Sequence, residues 1–299
     1  MRLDNFDLNL LMAFEALMTE RSVTRAADRL NVTQSAMSAA LKRLRESFQD
    51  DILVQHGKKM IPTQHALALS QEVSSVLIRL KSLIASSTRF DPTTSKRRFR
   101  VVASDYITTV LIAPLVQSLQ VEAPDVKLEL SLPGTASTTQ LEAGEIDLIL
   151  TPDTFLEQDH PRELLFDENF VVVGAKDNPL IQEPISREAY LQGGHVVVRM
   201  ANQPTFIEKA LQSIVPERRI ELTAQSFIQV PWLVSGTSHL SVMHERLARV
   251  SAPVFGLALV AAPFPLPKMP EMMQHHMARA DDAGLAWLRR RMIEFAGKL

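Results

Sequence analysis

The stretch Ser22–Ser47, SVTRAADRLNVTQSAMSAALKRLRES, constrains the chain more than any other. Two helical patterns meet there at Asn31-Val32. Ser22 can cap the first, whose Ala26, Ala27 and Leu30 face inward. Alanines at those positions let another helix approach closely. Thr33 can cap the second, in which Met37, Leu41, Leu44 and Phe48 form an apolar stripe. At about 100° per residue, the opposite face carries Ser35, Ala39 and Lys42, flanked by Ser38 and Arg43. Upstream, Leu10, Phe14, Leu17 and Met18 share one face of a further helix, with Asp7 as its predicted cap.

A helix with one buried stripe and an outer face of short polar groups suits a nucleic-acid groove. Short side chains allow close approach, Gln34 can read an adenine edge, and Lys and Arg can meet phosphates or guanine. The helix N-terminus adds N–H groups for a phosphate. Local charge agrees: Arg21, Arg25, Arg29, Lys42, Arg43 and Arg45 stand against Asp28 alone, in a chain of net charge -2. The alternative is a small helical bundle with a solvated basic face. Asp51–Thr63 tilts the choice. It alternates loosely around Gly57-Lys58-Lys59 and predicts a two-stranded wing with a basic tip. A helix-turn-helix with a wing is a DNA-binding arrangement.

Spacing alone fixes the next segment. Leu69, Val73, Val76, Leu80 and Leu83 form a heptad seam in a predicted helix from Gln64 to Ser86. Packing on its own domain is one reading; pairing with a second copy is the other, and a two-fold dimer reads two half-sites. Ser86–Ser95 sets Pro92 among serines and threonines and reads as a hinge. Beyond Lys96, strand patterns (99–103, 126–132, 146–150, 170–173, 195–198, 220–222, 240–243, 257–260) alternate with helical ones such as 109–121 and 205–214. That predicts an α/β region with mainly parallel sheets. Leu128–Leu150 and Leu222–Met243 repeat the order strand, turn, helix, glycine, strand, which suggests two similar lobes.

At 299 residues the chain suits two or three domains, and 46% hydrophobic with 22% charged residues is the balance of a folded protein. It has no cysteine, which excludes disulfides, thiolate metal sites and a cysteine nucleophile. Acids interrupt the N-terminal apolar residues, and no uncharged apolar run has transmembrane length, so a cytoplasmic location is expected. No Gly-x-Ser-x-Gly, phosphate-binding glycine loop or His-Glu-x-x-His occurs, so neither an enzyme nor a cofactor is expected. His275-His276 is no metal pair in a strand, and Asp50-Asp51 and Asp281-Asp282 read as turn or capping residues.

The motif Ser22-x-Thr24-x-Ala26-Ala27-x-x-Leu30, Thr33-Gln34-Ser35-Ala36-Met37-Ser38 and Leu41-x-x-Leu44 closely resembles the winged helix-turn-helix of LysR-type transcriptional regulators. The resemblance implies an α+β multidomain protein. Residues 1–63 form the DNA-binding domain and 64–95 a dimerising linker helix and hinge. Residues 96–299 form a two-lobed effector domain like a periplasmic binding protein (lobe I 96–169 and 264–299, lobe II 170–263). The implied partners are double-stranded DNA, a small-molecule inducer, one or three further copies of the chain, and RNA polymerase. The expected DNA contacts are Arg25, Thr33, Gln34, Ser35, Ser38, Lys42, Arg43, Lys58 and Lys59. In open α/β sheets ligands sit beyond the C-terminal strand ends, which points to Ser104, Asp105, Tyr106, Thr135, Arg199, Gln203 and Phe227. Further matches, Asp7–Leu11, Ala16–Arg21 and Phe90-Asp91-Pro92 among them, resemble the branch holding flavonoid-responsive nodulation activators and salicylate-responsive aromatic-degradation activators. The expected function is a ligand-responsive activator with an aromatic or phenolic inducer. The alternative is a solute-binding protein or α/β enzyme without a DNA role.

Overall fold

A computed structural model of the chain describes residues 6–57, 59–86 and 90–299. It divides into two compact units near residue 88.

The first unit opens with α1 (Asn9–Glu20), α2 (Val23–Arg29) and α3 (Gln34–Phe48). The hydroxyls of Ser22 and Thr33 accept the Arg25 and Ala36 N–H groups and so start α2 and α3. Leu8 rather than Asp7 occupies the half-turn before α1, yet Asp7 Oδ1 still takes the Asn9 N–H at 3.0 Å. Ala26 and Ala27 are fully buried, so α2 lies close against its neighbours. Phe14, Leu17, Met37 and Leu44 fill the space between the three helices. Phe48 closes one end of this core, with its ring 5.9 Å from those of Phe6 and Phe14. β1 (Leu53–His56) and β2 (Lys59–Pro62) pair antiparallel, with His56 opposite Lys59.

The linker helix α4 (Gln64–Ser86) corrects the single seam expected from its heptads. Val73 is buried and Leu69 partly buried in the core of the first unit, joined by Ala66 and Leu77. Val76 and Leu83 remain exposed. At about 100° per residue the five positions share an arc of about 80°, and the core of the first unit covers only its Val73 edge, beside Ala66 and Leu77, while Val76 and Leu83 lie at the other edge.

The second unit holds two sheets. The first contains β3 (Arg98–Ala103), β4 (Lys127–Ser131), β5 (Leu148–Pro152) and β6 (Arg162–Glu168). α5 (Asp105–Ile107), a π-turn (Thr108–Ile112) and α6 (Ala113–Glu122) connect β3 to β4, and α7 (Ser137–Glu142) connects β4 to β5. After Asn169 the chain enters the second sheet with β7 (Phe170–Ala175). α8 (Arg187–Gln192), β8 (Gly194–Met200), the short β9 (Gln203–Pro204), α9 (Phe206–Ile214), β10 (Arg219–Ala224), α10 (Val230–Val234), β11 (Leu240–His244), α11 (Glu245–Phe255) and β12 (Leu257–Val260) follow. β13 (Met269–Gln274) then returns to the first sheet, and α12 (Ala283–Ala296) ends the fold. The strand orders are β4-β3-β5-β13-β6 and β10-β8-β11-β7-β12. Gly144 and Gly236, at φ +65° and +66°, close equivalent helices before β5 and β11, a backbone state that glycine adopts without strain.

The sheets are mixed, not mainly parallel. Strands joined by helical crossovers (β3 with β4 and β5, β8 with β10 and β11) run parallel. The strands that carry the chain between sheets are antiparallel to their neighbours: β13 to β5 and β6, β7 to β11 and β12. β6 and β13 escaped the strand reading because RELLFDE and MPEMMQ carry acids and a proline where a strand pattern needs apolar residues.

Five histidines are buried in this unit, and three of them are held away from their ordinary pKa. His195 meets the Tyr190 carbonyl at 2.9 Å, His275 Nε2 faces Arg289 at 3.2 Å, and His244 ends β11. Burial lowers their pKa values to about 4, about 4 and about 3. In the unfolded chain they gain protons below their ordinary value of about 6.5, while the folded chain stays neutral. Stability is therefore full above about 6.5 and is lost as pH falls toward 4, by up to roughly 1.4 kcal/mol per pH unit for each histidine. Glu271, raised by burial, acts in the opposite sense above its ordinary value of 4.5, but is one group against three. Urea unfolding at pH 7.0 and 5.0 should show the loss, and His275→Gln should reduce it; an unchanged difference in the variant would remove His275 from this account.

Candidate nucleic-acid interface and effector cleft

α3 turns Met37, Leu41 and Leu44 into the core and leaves Gln34, Ser35, Ser38, Ala39, Lys42 and Arg43 exposed. Thr33, also exposed, is committed at the helix start, where its hydroxyl meets Ser35 Oγ at 3.0 Å. Lys42 has no acid partner and Gln34 no hydrogen bond among the described residues. The other cations are partly used. Arg43 pairs with Asp7 at 3.0 Å, and Arg25 and Arg29 with Glu20 at 3.4 Å each. Arg45 donates to the carbonyls of Asp51 and Leu53 at 2.9 Å each and fastens the wing to α3. Lys59 is exposed at the start of β2; Lys58 lies outside the described residues.

A cavity of about 450 Å³ lies between the two sheets of the second unit. Ser104 and Tyr106 reach it beyond β3, Thr135 beyond β4, Thr151 at the end of β5, and Gln203, Phe206, Phe227 and His244 from the other lobe. Asp105 and Arg199 stand apart from its lining. Strand alternation turns the Arg199 side chain outward beside buried Val198. The Asp105 carboxylate crosses to the other lobe, where it accepts the Ser226 hydroxyl and, at 3.2 Å, the Ile228 N–H.

Aromatic rings wall the cavity. Tyr106 stacks on His244 with centroids 3.9 Å apart, and Phe227 sets its ring edge-on to both. The Tyr106 hydroxyl donates to Glu168, which also pairs with Arg246 at 3.3 Å. Burial, then the Glu168 charge, raises the Tyr106 hydroxyl well above its ordinary range, so it stays a donor. Burial and Glu168 likewise raise Glu271, which lines the cavity from β13. Glu271 was not among the residues expected at the site, since an acid after a proline in MPEMMQ reads as surface. Neither were Phe206, His244 and Lys209, whose ammonium lies 4.4 Å from the Phe155 ring centroid.

His160 and His276 bring their rings within 4.6 Å. His160 Nδ1 accepts the Met277 N–H at 3.5 Å and His276 Nδ1 the Ala278 N–H at 3.0 Å. Accepting at Nδ1 places the proton of each neutral ring on Nε2.

A winged helix-turn-helix joined to a two-lobed α/β domain with an interlobe cavity defines a DNA-binding regulator that carries its own sensor. The chain belongs to the lysR family of bacterial regulatory helix-turn-helix proteins, whose model matches residues 8–67, while the LysR substrate binding domain matches residues 93–296. It is a DNA-binding transcriptional regulator and not an enzyme. Nodulation protein D 1 of Bradyrhizobium elkanii is 38% identical over all of this chain and 96% of its own length. Nodulation protein D 2 of Rhizobium tropici is 37% identical over 99% and 95%. Among solved structures, a probable transcriptional regulator from Pseudomonas aeruginosa is similar over 97% of both chains (TM-score 0.65, 32% identity). LysG from Corynebacterium glutamicum with bound effector Arg shares the fold (TM-score 0.68, 14% identity, 98% and 99% covered). No helix among the described residues is long and apolar enough to cross a membrane.

The exposed face of α3 generates a two-part prediction. Gln34→Ala should relax selectivity at one base position at a cost of about 1–3 kcal/mol. Arg43→Ala should weaken binding equally on all sequences and lower the salt slope by about one. Fluorescence anisotropy on a set of single-base operator variants, over a salt series, separates the two. Uniform weakening by Gln34→Ala would remove it from base reading.

Proposed function

We propose that the chain is a ligand-responsive transcriptional activator whose inducer is a small aromatic or phenolic molecule held between the lobes of residues 96–299. The observation that carries this reading is the aromatic lining of the interlobe cavity, Tyr106, Phe155, Phe206 and Phe227. Its volume lies within the about 300–1,000 Å³ usual for drug-sized ligands. The likeness to nodulation proteins D over the whole chain supports the same reading. Residues 1–63 grip DNA through Thr33, Gln34, Ser35, Ser38 and Lys42 toward bases, and Arg25, Arg43, Lys58 and Lys59 toward phosphates. Arg25 and Arg43 exchange Glu20 and Asp7 for phosphates there, a swap that costs little at exposed ion pairs.

Two copies pair through the exposed side of α4 in residues 64–95, and pairs assemble further into tetramers. The ligand favours one angle between the lobes. That changes the spacing of the DNA-binding pairs, and with it DNA bending and contact with RNA polymerase. Such a shift requires unequal affinity for the two arrangements. The Asp105 bridge to Ser226 and Ile228 is one contact that such a rotation would break or restore.

Two measurements test this reading. In a thermal-shift panel of flavonoids, simple phenols and basic amino acids, an aromatic ligand at about 100 times its Kd should stabilise the protein by about 2.7 kcal/mol. That amounts to roughly 5–10 °C for a domain of this size. Stabilisation by amino acids alone would overturn the aromatic assignment. Val76→Asp places a charge on the exposed side of α4 without entering the core and should shift sedimentation toward the monomer. A Val76→Asp protein that stays fully dimeric would move the pairing elsewhere.

A further inference from the structure

Most polar groups around the cleft have partners in the fold. The Thr205 hydroxyl does not, and at the inner wall neither do two titratable side chains. Glu271 sits on β13 between Met269 and Met273, 1% exposed. It lines the cavity, and its carboxyl group makes no hydrogen bond among the described residues. His244 ends β11 in the other lobe, 3% exposed, with its ring face covered by Tyr106. Neither of its ring nitrogens has a hydrogen-bond partner among the described residues, and Nδ1 is shut off from solvent. A polar group buried without a partner destabilises the fold that holds it, so a ligand bonded to both groups gains hydrogen bonds that no side chain of the fold supplies.

The charges around these two groups decide what such a ligand can be. Glu168, fully buried, holds Arg246, the Tyr106 hydroxyl and the Asn169 N–H. The local cation is thereby used. A second anion on Glu271 would have no counter-charge, and burial beside Glu168 raises its carboxyl well above the ordinary range, toward the uncharged form. Burial also keeps the His244 ring neutral. The inner wall thus offers an O–H donor from one lobe and a neutral imidazole from the other, between aromatic faces. Lys209, on α9, is the cation among the lining residues, and it rests over the Phe155 ring.

We propose that Glu271 and His244 are the specificity-determining pair of the cleft. Each lobe contributes one of them, together they read an uncharged hydroxyl or carbonyl on a planar aromatic ligand, and they reject the matching carboxylate. The assignment rests on the effector reading above and sharpens it. A neutral ligand bonded to both side chains spans the lobes; an aromatic carboxylate would bring a bare anion toward Glu168. Because the pair lies on opposite lobes, the same two bonds that select the ligand also favour one lobe arrangement.

Calorimetric titration of the full-length protein with 4′-hydroxyflavone and flavone-4′-carboxylate tests the assignment. The wild type should bind the hydroxyl compound at least about tenfold more tightly, the scale of one buried polar mismatch. Glu271→Gln keeps an uncharged donor of the same shape and should stay within about threefold of wild type. Glu271→Leu, and His244→Phe with its ring retained, should each weaken the hydroxyl compound roughly tenfold. Unfolding midpoints measured without ligand establish that each variant is folded. Equal binding of the two flavones, a Glu271→Gln loss as large as that of Glu271→Leu, or normal binding by both Glu271→Leu and His244→Phe overturns the pair. Carboxylate binding that Lys209→Gln abolishes would overturn it too, in favour of an anion site on α9. If the wild type binds neither these compounds nor any aromatic of the thermal panel, the effector reading itself falls, and this assignment with it.

Discussion

The effector domain turns on one buried carboxylate. Glu168 ends β6, and the single residue Asn169 separates it from β7 in the other sheet. Its oxygens take the Tyr106 hydroxyl from lobe I, the Asn169 N–H at the crossover, and Arg246 from the start of α11 in lobe II. Breaking a buried pair of this kind by removing one partner costs about 3–5 kcal/mol. Arg246 is held twice more, with its guanidinium 4.4 Å from the Phe166 ring centroid and a hydrogen bond to the Asp167 carbonyl. The same charge that joins the lobes therefore fixes the Tyr106 ring, and the Tyr106 ring in turn covers His244 and sets one wall of the cleft. The cleft's aromatic surface and its uncharged inner wall both follow from where one anion was placed.

A comparable economy governs the first unit. Its basic stretch is not a uniform patch. Arg45 serves the fold by tying β1 to α3, Arg25 and Arg29 share Glu20, and Arg43 leans on Asp7. These exposed pairs are weak and screened by salt, so they orient the arginines without committing them. Lys42 stands clear of them on the open side of α3. The helix thus presents a short polar face flanked by arginines that are already steered, an arrangement compatible with a deep groove and a polyanion.

What the sequence disclosed follows from how local the information is. Ser22, Thr33 and the Met37–Leu41–Leu44 stripe act within a few residues, so the helix-turn-helix was legible from caps and period alone. Ser104, Tyr106 and Phe227 follow the rule that cavities open at the C-terminal ends of strands, and they line this one. Arg199 and Asp105 obey the same rule in position but not in direction, since side-chain orientation depends on strand alternation and on a partner more than a hundred residues away. Glu271 was hidden for a stronger reason. MPEMMQ is a strand because β5 and β6 flank it on both sides, and nothing within the segment says so. The linker shows the converse. Its heptads were visible, but their division between α4's inner and outer sides depends on where α1 lies.

The segment that reads as a hinge is, in its described part, held by lobe I. Among its described residues, Phe90–Ser95 is not loose. Asp91 Oδ1 accepts both the Thr93 N–H and its hydroxyl, at 3.0 and 2.7 Å, closing a local turn. The Phe90 ring packs against Trp287 and Phe99, at 5.2 and 6.4 Å between centroids. Arg97 forks onto both oxygens of Asp282 at 2.5 and 2.6 Å, while Asp282 also caps α12 through the Leu285 N–H. Gly284 makes this possible, because a Cβ there would lie 2.6 Å from Arg97 and 2.9 Å from Phe90. Planar, doubly bonded Arg–carboxylate contacts resist rotation as well as separation. The start of the effector domain is therefore fixed to α12 and β3 of lobe I. Residues 90–97 are thus built into lobe I and turn with it as one piece.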